Sequence, residues 1–133
     1  MDTTQRAHEP YAEDVRRLAL ENNDFRRVLK TTDRSQLVLM CVPAGGEIGE
    51  ETHPENDQIL SFVEGSGHAV LGNARLTISP GSTVVVPAGT RHNFLADTGE
   101  ALKLVTVYAP PHHRPGTVHK TKADAEADTQ DEY

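Results

Sequence analysis

Seven histidines in 133 residues are the first chemistry to weigh, because imidazole is the commonest transition-metal ligand and titrates near neutrality. Two of them are placed unlike the rest. His53 stands just before an apolar run that begins at Gln58, and His92 follows the turn composition Pro87-Ala88-Gly89-Thr90 and enters another such run. Strand mouths on the inner face of a small barrel converge on one cavity, so both imidazoles are candidates for a single site. His68 lies inside a hairpin strand and is expected to point outward. His112, His113 and His119 stand in and after a Pro-rich segment, which offers ligands no rigid scaffold; exposed loop positions are expected for all three. Cys41 is the single cysteine, so an intrachain disulfide and a CxxC site are excluded, and its apolar setting predicts a buried thiol.

The elements that must position these residues are short strands. The length suits one domain, and 36% apolar with 25% charged residues is a globular composition, in which zero Trp leaves aliphatic side chains to fill the interior. Strands are predicted over Leu37–Val42, Gln58–Val63, His68–Leu71, Ala74–Ile78, Thr83–Val86, Arg91–Leu95 and Ala101–Tyr108, separated by Gly, Pro and Asn turns. Gly72-Asn73 reads as a two-residue hairpin loop with left-handed backbone angles. No helical pattern intervenes, which predicts an all-β sandwich or barrel of the jelly-roll kind. Upstream, Ala12–Asn23 has an imperfect amphipathic register for one short helix, and Phe25–Lys30 alternates apolar and basic residues, as suits a strand or arm lying across the domain edge or a neighbouring subunit. The expected organisation is an N-terminal arm over 1–35, a barrel over 36–108, and a wrapping loop with a solvated acidic tail over 109–133.

The formal charge is −7, and Asp124, Glu126, Asp128, Asp131 and Glu132 carry five of those charges, so a nucleic-acid partner is excluded. No apolar run reaches the length of a membrane span, and residues Met1 to Pro10 lack the apolar middle of a signal peptide. The expected location is the cytoplasm.

Two spaced patterns narrow the reading. Gly81-x5-Pro87-x-Gly89-x2-His92 is followed by Ala96, and Gly45-x5-Glu51-x-His53-x4-Gln58-x6-Gly65 precedes it. Together they resemble the two motifs of the cupin superfamily. The second pattern matches except that Ala96 replaces the final Asn, and the first keeps every spacing while Glu51 replaces a histidine and Gln58 a glutamate. The resemblance implies a double-stranded β-helix, most similar to small stand-alone bacterial cupins loosely labelled mannose-6-phosphate-isomerase-like. It also implies one divalent metal held by Glu51, His53, Gln58 and His92, with Glu55 or Asp57 as the alternatives to Glu51. Two imidazoles and one carboxylate suit a first-row ion with open positions; manganese, iron, nickel or cobalt is expected, with zinc as a further candidate.

Inner-face parity then predicts an apolar pocket of Val38, Met40, Leu60, Phe62, Phe94, Leu104 and Thr106, with Lys103 turned to water. Tyr108 and Glu55 are weak candidates for catalytic acid or base. Arg75 and Arg91, far apart in sequence, give no evident phosphate site. These features predict a metalloenzyme acting on a small oxygenated organic molecule by isomerase, lyase or dioxygenase chemistry. The alternative is a non-catalytic module binding a metal or metabolite. Cupins commonly pair, so a homodimer is expected, with Phe25–Lys30 as the exchanged arm.

Overall fold

The computed structural model describes residues 7–131, so residues 1–6 of the expected arm, and Glu132 and Tyr133 of the expected tail, lie outside it. Chain order is α1 (Val15–Glu21), β1 (Arg26–Thr31), β2 (Gln36–Val42), β3 (Asp57–Glu64), β4 (Gly67–Leu71), β5 (Ala74–Ile78), β6 (Thr83–Val86), β7 (His92–Ala96), β8 (Leu102–Ala109), β9 (Val118–His119) and α2 (Lys122–Ala127). The strands form a six-stranded antiparallel sheet, β6-β3-β8-β2-β1-β9, and a three-stranded one, β5-β4-β7. This is the two-sheet jelly roll that the strand pattern predicts. All seven predicted strands appear within one residue of their expected ends.

Side-chain alternation decides what the large sheet buries. In β8 the residues Leu102, Leu104, Thr106 and Tyr108 are buried while the intervening ones are half-exposed. Register carries that parity across the sheet: Met40, Leu104 and Phe62 form one rung, Val38, Thr106 and Leu60 the next, and Gln36, Tyr108 and Gln58 a third, polar one. The first two rungs fill the interior, and apolar burial of this kind contributes about 1.5–3 kcal/mol per large side chain. The third faces the site.

β2 is apolar on both faces because both are covered. The short helix α1 lies against β2, β3 and β8, and Leu39 and Cys41 are buried on its side of the sheet. Asp14 caps its start by accepting from the Arg17 N–H at 3.1 Å. Lys103, expected in water, instead donates from Nζ to the Leu20 carbonyl at 2.7 Å and satisfies an orphan acceptor near the helix end. In the β4–β5 hairpin only Gly72 takes a positive φ, of 58°, and Asn73 does not. A positive φ at the first loop position alone is the pattern of a type II′ loop, which needs a glycine there.

Two expectations are refined at the chain ends. Of the two forms expected for Phe25–Lys30, strand or arm, the chain takes the strand: β1 pairs with β2 along its length and with β9 at Arg26 and Arg27. The acidic end is exposed as expected of a tail, with no buried residue in α2, but up to residue 131 it is ordered: β9 is followed by α2, whose Thr121 and Asp124 make a reciprocal capping box. The acidic run is ordered by buried imidazoles, with Asp128 Oδ2 2.9 Å from His119 Nε2 and Asp131 Oδ2 2.7 Å from His113 Nδ1. Composition does not disclose those partners.

Candidate metal centre

The segment before β3 runs antiparallel to β7 and builds half of the site. Glu51 and His92 are direct cross-strand partners, joined by two backbone hydrogen bonds of 2.9 Å. Two residues on, the His53 carbonyl accepts from the Gly89 N–H at 2.8 Å, which ties His53 to the turn preceding β7. One ligating atom each from Glu51, His53 and His92 lies within 4.8 Å of the others. Glu51 Oε2 and His53 Nε2 approach to 2.9 Å, yet that nitrogen is buried without an aligned hydrogen-bond partner. Adjacent donors on one ion with bonds near 2.1 Å sit about 3 Å apart, so the spacing suits two ligands of a shared cation.

Gln58 comes from the other sheet, since β3 belongs to the six-stranded sheet and β7 to the three-stranded one. Its Nε2 donates to Thr106 Oγ1 at 3.1 Å, and its Oε1 is buried with no partner. An oriented, unsatisfied acceptor fits a weak oxygen ligand. His92 Nδ1 donates to the Thr90 carbonyl at 2.8 Å, leaving its Nε2 as the lone-pair nitrogen. The donor set thus fits a divalent first-row ion. Of the other acids, Glu55 is exposed on its loop, and Asp57 is exposed and accepts from the Ala88 N–H at 2.9 Å; neither belongs to the cluster.

Burial pushes the Glu51 carboxyl up, but the neighbouring His53, Arg26 and His92 outweigh it and hold the group below the ordinary carboxylate range. Tyr108 is 2% exposed, with its ring 5.7 Å from that of His53. Burial raises its hydroxyl far above the usual value, which keeps it a neutral phenol.

A cavity of about 320 Å³ opens beside Glu51 and is walled by Arg26, Ile48, His112, His113, Lys122 and Asp131 among others. The expected pocket residues do not line it. Val38, Met40, Leu60, Phe62, Phe94 and Leu104 are buried together in the core, and Thr106 beside them is fully buried. Inner-face parity therefore identifies interior positions, whereas the cavity beside Glu51 is lined by other residues.

Two of the histidines expected as loop residues, His112 and His113, line that cavity. The His112 ring lies 4.3 Å from that of His53, centre to centre. His112 is pushed down to about 4, by burial first and then by His113 and His53, so it is a neutral imidazole. His113 and His119 are each 4% exposed. Gln36 anchors this loop: its Nε2 donates to the His113 carbonyl at 2.6 Å, and its Oε1 accepts from the N–H groups of His112 and His113 at 3.2 and 2.9 Å. Sequence reasoning missed Arg26, Gln36 and these histidines. The available signal was two-residue parity, which places Arg26 on the side of Val28 and Gln36 on that of Val38.

His68 is half-exposed on β4 with Asp97 Oδ1 3.6 Å from its Nδ1, as an outward residue should be. Arg75 and Arg91 come together on one shallow groove with Glu50, whose Oε1 is 3.2 Å from Arg91 Nε. Sequence distance hid that proximity.

Comparison with known proteins agrees with this architecture. A family model for the cupin domain matches residues 38–108. The uncharacterized protein YrkC of Bacillus subtilis is 41% identical over 124 residues, covering 89% of this chain and 67% of that protein. Protein L612 of Acanthamoeba polyphaga mimivirus is 37% identical over 112 residues, covering 81% and 70%. The crystal structure of BH2720 from Bacillus halodurans superposes with a TM-score of 0.89 at 37% identity, covering 91% of this chain and 96% of that one. With the jelly roll, the two spaced motifs and the family match all falling on the same residues, the chain belongs to the cupin family.

Proposed function

We propose that Glu51, His53, His92 and the Gln58 amide oxygen hold one divalent first-row metal, and that the protein is an enzyme acting on a small oxygenated organic molecule. The observation that carries this reading is the meeting of three ligating groups within 4.8 Å, one of which, Glu51, borders an open cavity. Manganese, iron, nickel or cobalt suits a mixed oxygen and imidazole set, with zinc as the alternative. A bound ion supplies Lewis-acid polarisation of the oxygens of a diol, ketol or enediol.

The chain's own groups then divide the remaining work. Tyr108, kept protonated by burial, has its ring 5.7 Å from that of His53 and its hydroxyl hydrogen-bonded by Arg26. His112, neutral and at the cavity wall, can accept a proton from a bound substrate. Glu55, exposed on its loop, has no part in this scheme. Isomerase, lyase and dioxygenase chemistries all use such a site. A reduced cytoplasmic setting accords with the buried free Cys41. A homodimer belongs to the same reading, supported by Ile59 and Val85, cross-strand partners that are 41% and 59% exposed on the outer face.

The test is metal content by mass spectrometry on protein prepared without chelators, followed by turnover with ketols, diketones and catechols in the presence and absence of dioxygen. One equivalent of metal that is lost in His92→Ala, with conversion lost alongside it, is the expected result. Wild-type protein that takes up none of manganese, iron, nickel, cobalt or zinc overturns the metal centre. Metal uptake with no conversion of any compound favours a binding module.

A further inference from the structure

Arg26 is a buried cation that feels Glu51 and Asp131 only from beyond contact distance. It is 5% exposed, it sits on the inward parity of β1 beside Val28, and it lines the cavity that Glu51 borders. Among the described residues no carboxylate comes within ion-pair distance of it. Its neighbours are the Phe25 ring, 5.3 Å from the guanidinium carbon, His119 Nδ1, 3.3 Å from one terminal nitrogen, and the Tyr108 hydroxyl, which accepts a hydrogen bond from it. Its Nε is buried with no partner. A guanidinium taken out of water is costly unless an anion and hydrogen bonds replace the lost solvation.

The acids nearby have closer partners than Arg26, although its charge still lowers Glu51 and Asp131. Asp128 pairs with His119 Nε2 and Asp131 with His113 Nδ1. These contacts also set the tautomers. His119 carries its proton on Nε2, toward Asp128, so its Nδ1 accepts from Arg26 and holds the guanidinium in place. His113 carries its proton on Nδ1, which leaves its Nε2 a buried acceptor with no partner. Two residues of the cavity wall therefore each carry a buried polar atom with no partner, an N–H on Arg26 and an acceptor nitrogen on His113.

We propose that this cavity binds a small hydroxycarboxylate, with Arg26 as the anchor of its carboxylate and His113 Nε2 as the acceptor for its hydroxyl. This deepens the metal-centre reading and rests on it for the third contact, an oxygen of the ligand at the Glu51, His53 and His92 cluster. A monoanion fits better than a phosphate dianion. Arg26 is the buried cation of a wall that also holds Glu51, Glu126, Asp128 and Asp131, and Lys122 is half-exposed with Glu126 at 3.9 Å. The planar guanidinium matches a carboxylate in two-point geometry.

The experiment is calorimetric titration of the full chain, metal-free and manganese-loaded, with glycolate and lactate, with acetate, with glycolamide and lactamide, and with inorganic phosphate. Glycolate and lactate are expected to bind at least tenfold more tightly than their amides and more tightly than acetate or phosphate, and Arg26→Gln is expected to abolish the preference for acid over amide. His113→Phe should remove the preference for glycolate over acetate and leave that for acid over amide. Where Arg26→Gln does not fold, the ¹⁵N resonance of Arg26 Nε in the wild-type protein gives the answer, since glycolate should shift it and glycolamide should not. Equal affinity for acids and amides, tightest binding of phosphate, or an unmoved Nε resonance overturns the proposal. Preference for the acid in the metal-free protein, with no metal uptake, upholds the Arg26 anchor while the metal-centre reading fails; metal uptake without that preference does the reverse.

Discussion

Gln36 shows how one side chain can carry a site it does not belong to. Its amide bonds to the Thr31 hydroxyl and to three backbone groups of the loop that presents His112 and His113. Gln36→Leu keeps the volume and leaves those groups without partners, at about 1–3 kcal/mol for each one that stays buried. Because part of the loop relaxes into water, urea denaturation is expected to register a loss of about 2–4 kcal/mol. Metal affinity should change less, since Glu51, His53 and His92 are held by other backbone contacts. An unchanged denaturation midpoint would remove Gln36 from this role. Its importance was not legible in advance, because Gln36 reads as the polar start of an apolar strand and its partners lie 76 and 77 residues away in sequence.

At the scale of elements, the small sheet depends on close backbone approach where β4 meets β7. A Cβ placed on Gly67 collides with the Leu95 carbonyl oxygen, whereas one on Gly99 meets nothing within 4 Å. Gly67→Ala is therefore expected to cost several kcal/mol through forced separation of paired strands, and Gly99→Ala to fall within about 0.5 kcal/mol of the parent. Thermal melting of the two variants checks this, and equal melting temperatures would contradict it. Movement of β7 also carries His92, so Gly67→Ala should weaken metal uptake along with stability. Strand positions were legible from alternation and turn residues. Which strands share a sheet was not: Gln58 and His92 stand in different sheets, and Glu51, which bridges to His92, lies outside any strand that periodicity marks.

For the whole molecule, the C-terminal segment helps to wall the cavity beside Glu51. Burial pushes the Asp131 carboxyl up, but the hydrogen bond and charge of His113 and the Arg114 N–H override it and hold it at about 2, against an ordinary 3.8. A depressed carboxylate stabilises the fold at pH values above its unfolded value. That contribution is complete above pH 3.8, fades as the pH falls toward about 2, and is gone below it. Asp131→Asn should thus melt below the wild type at pH 6, with the difference shrinking through that acid window. A gap that stays constant down to pH 2 would mean that the pair contributes nothing through its charge. Assembly is read at the same scale. Sedimentation of the full chain should give a dimer that Val85→Asp converts to monomer, and an unchanged coefficient would exclude the outer face as the contact.

The sequence by itself determined the strands, their inward and outward faces, the hairpin turns and the spacing of the motif positions, because each follows from interactions between near neighbours along the chain. That was enough for the jelly roll and for its membership of the cupin family. Only the tertiary structure decided that the expected pocket residues are buried in the core, that Arg26 is enclosed beside the Glu51 cavity, and that His113 and His119 take Asp131 and Asp128 as partners. Those outcomes depend on desolvation and on contacts between segments distant in sequence. A histidine in a Pro-rich loop and an acidic run at the chain end look solvated until each is found to be what the other pairs with.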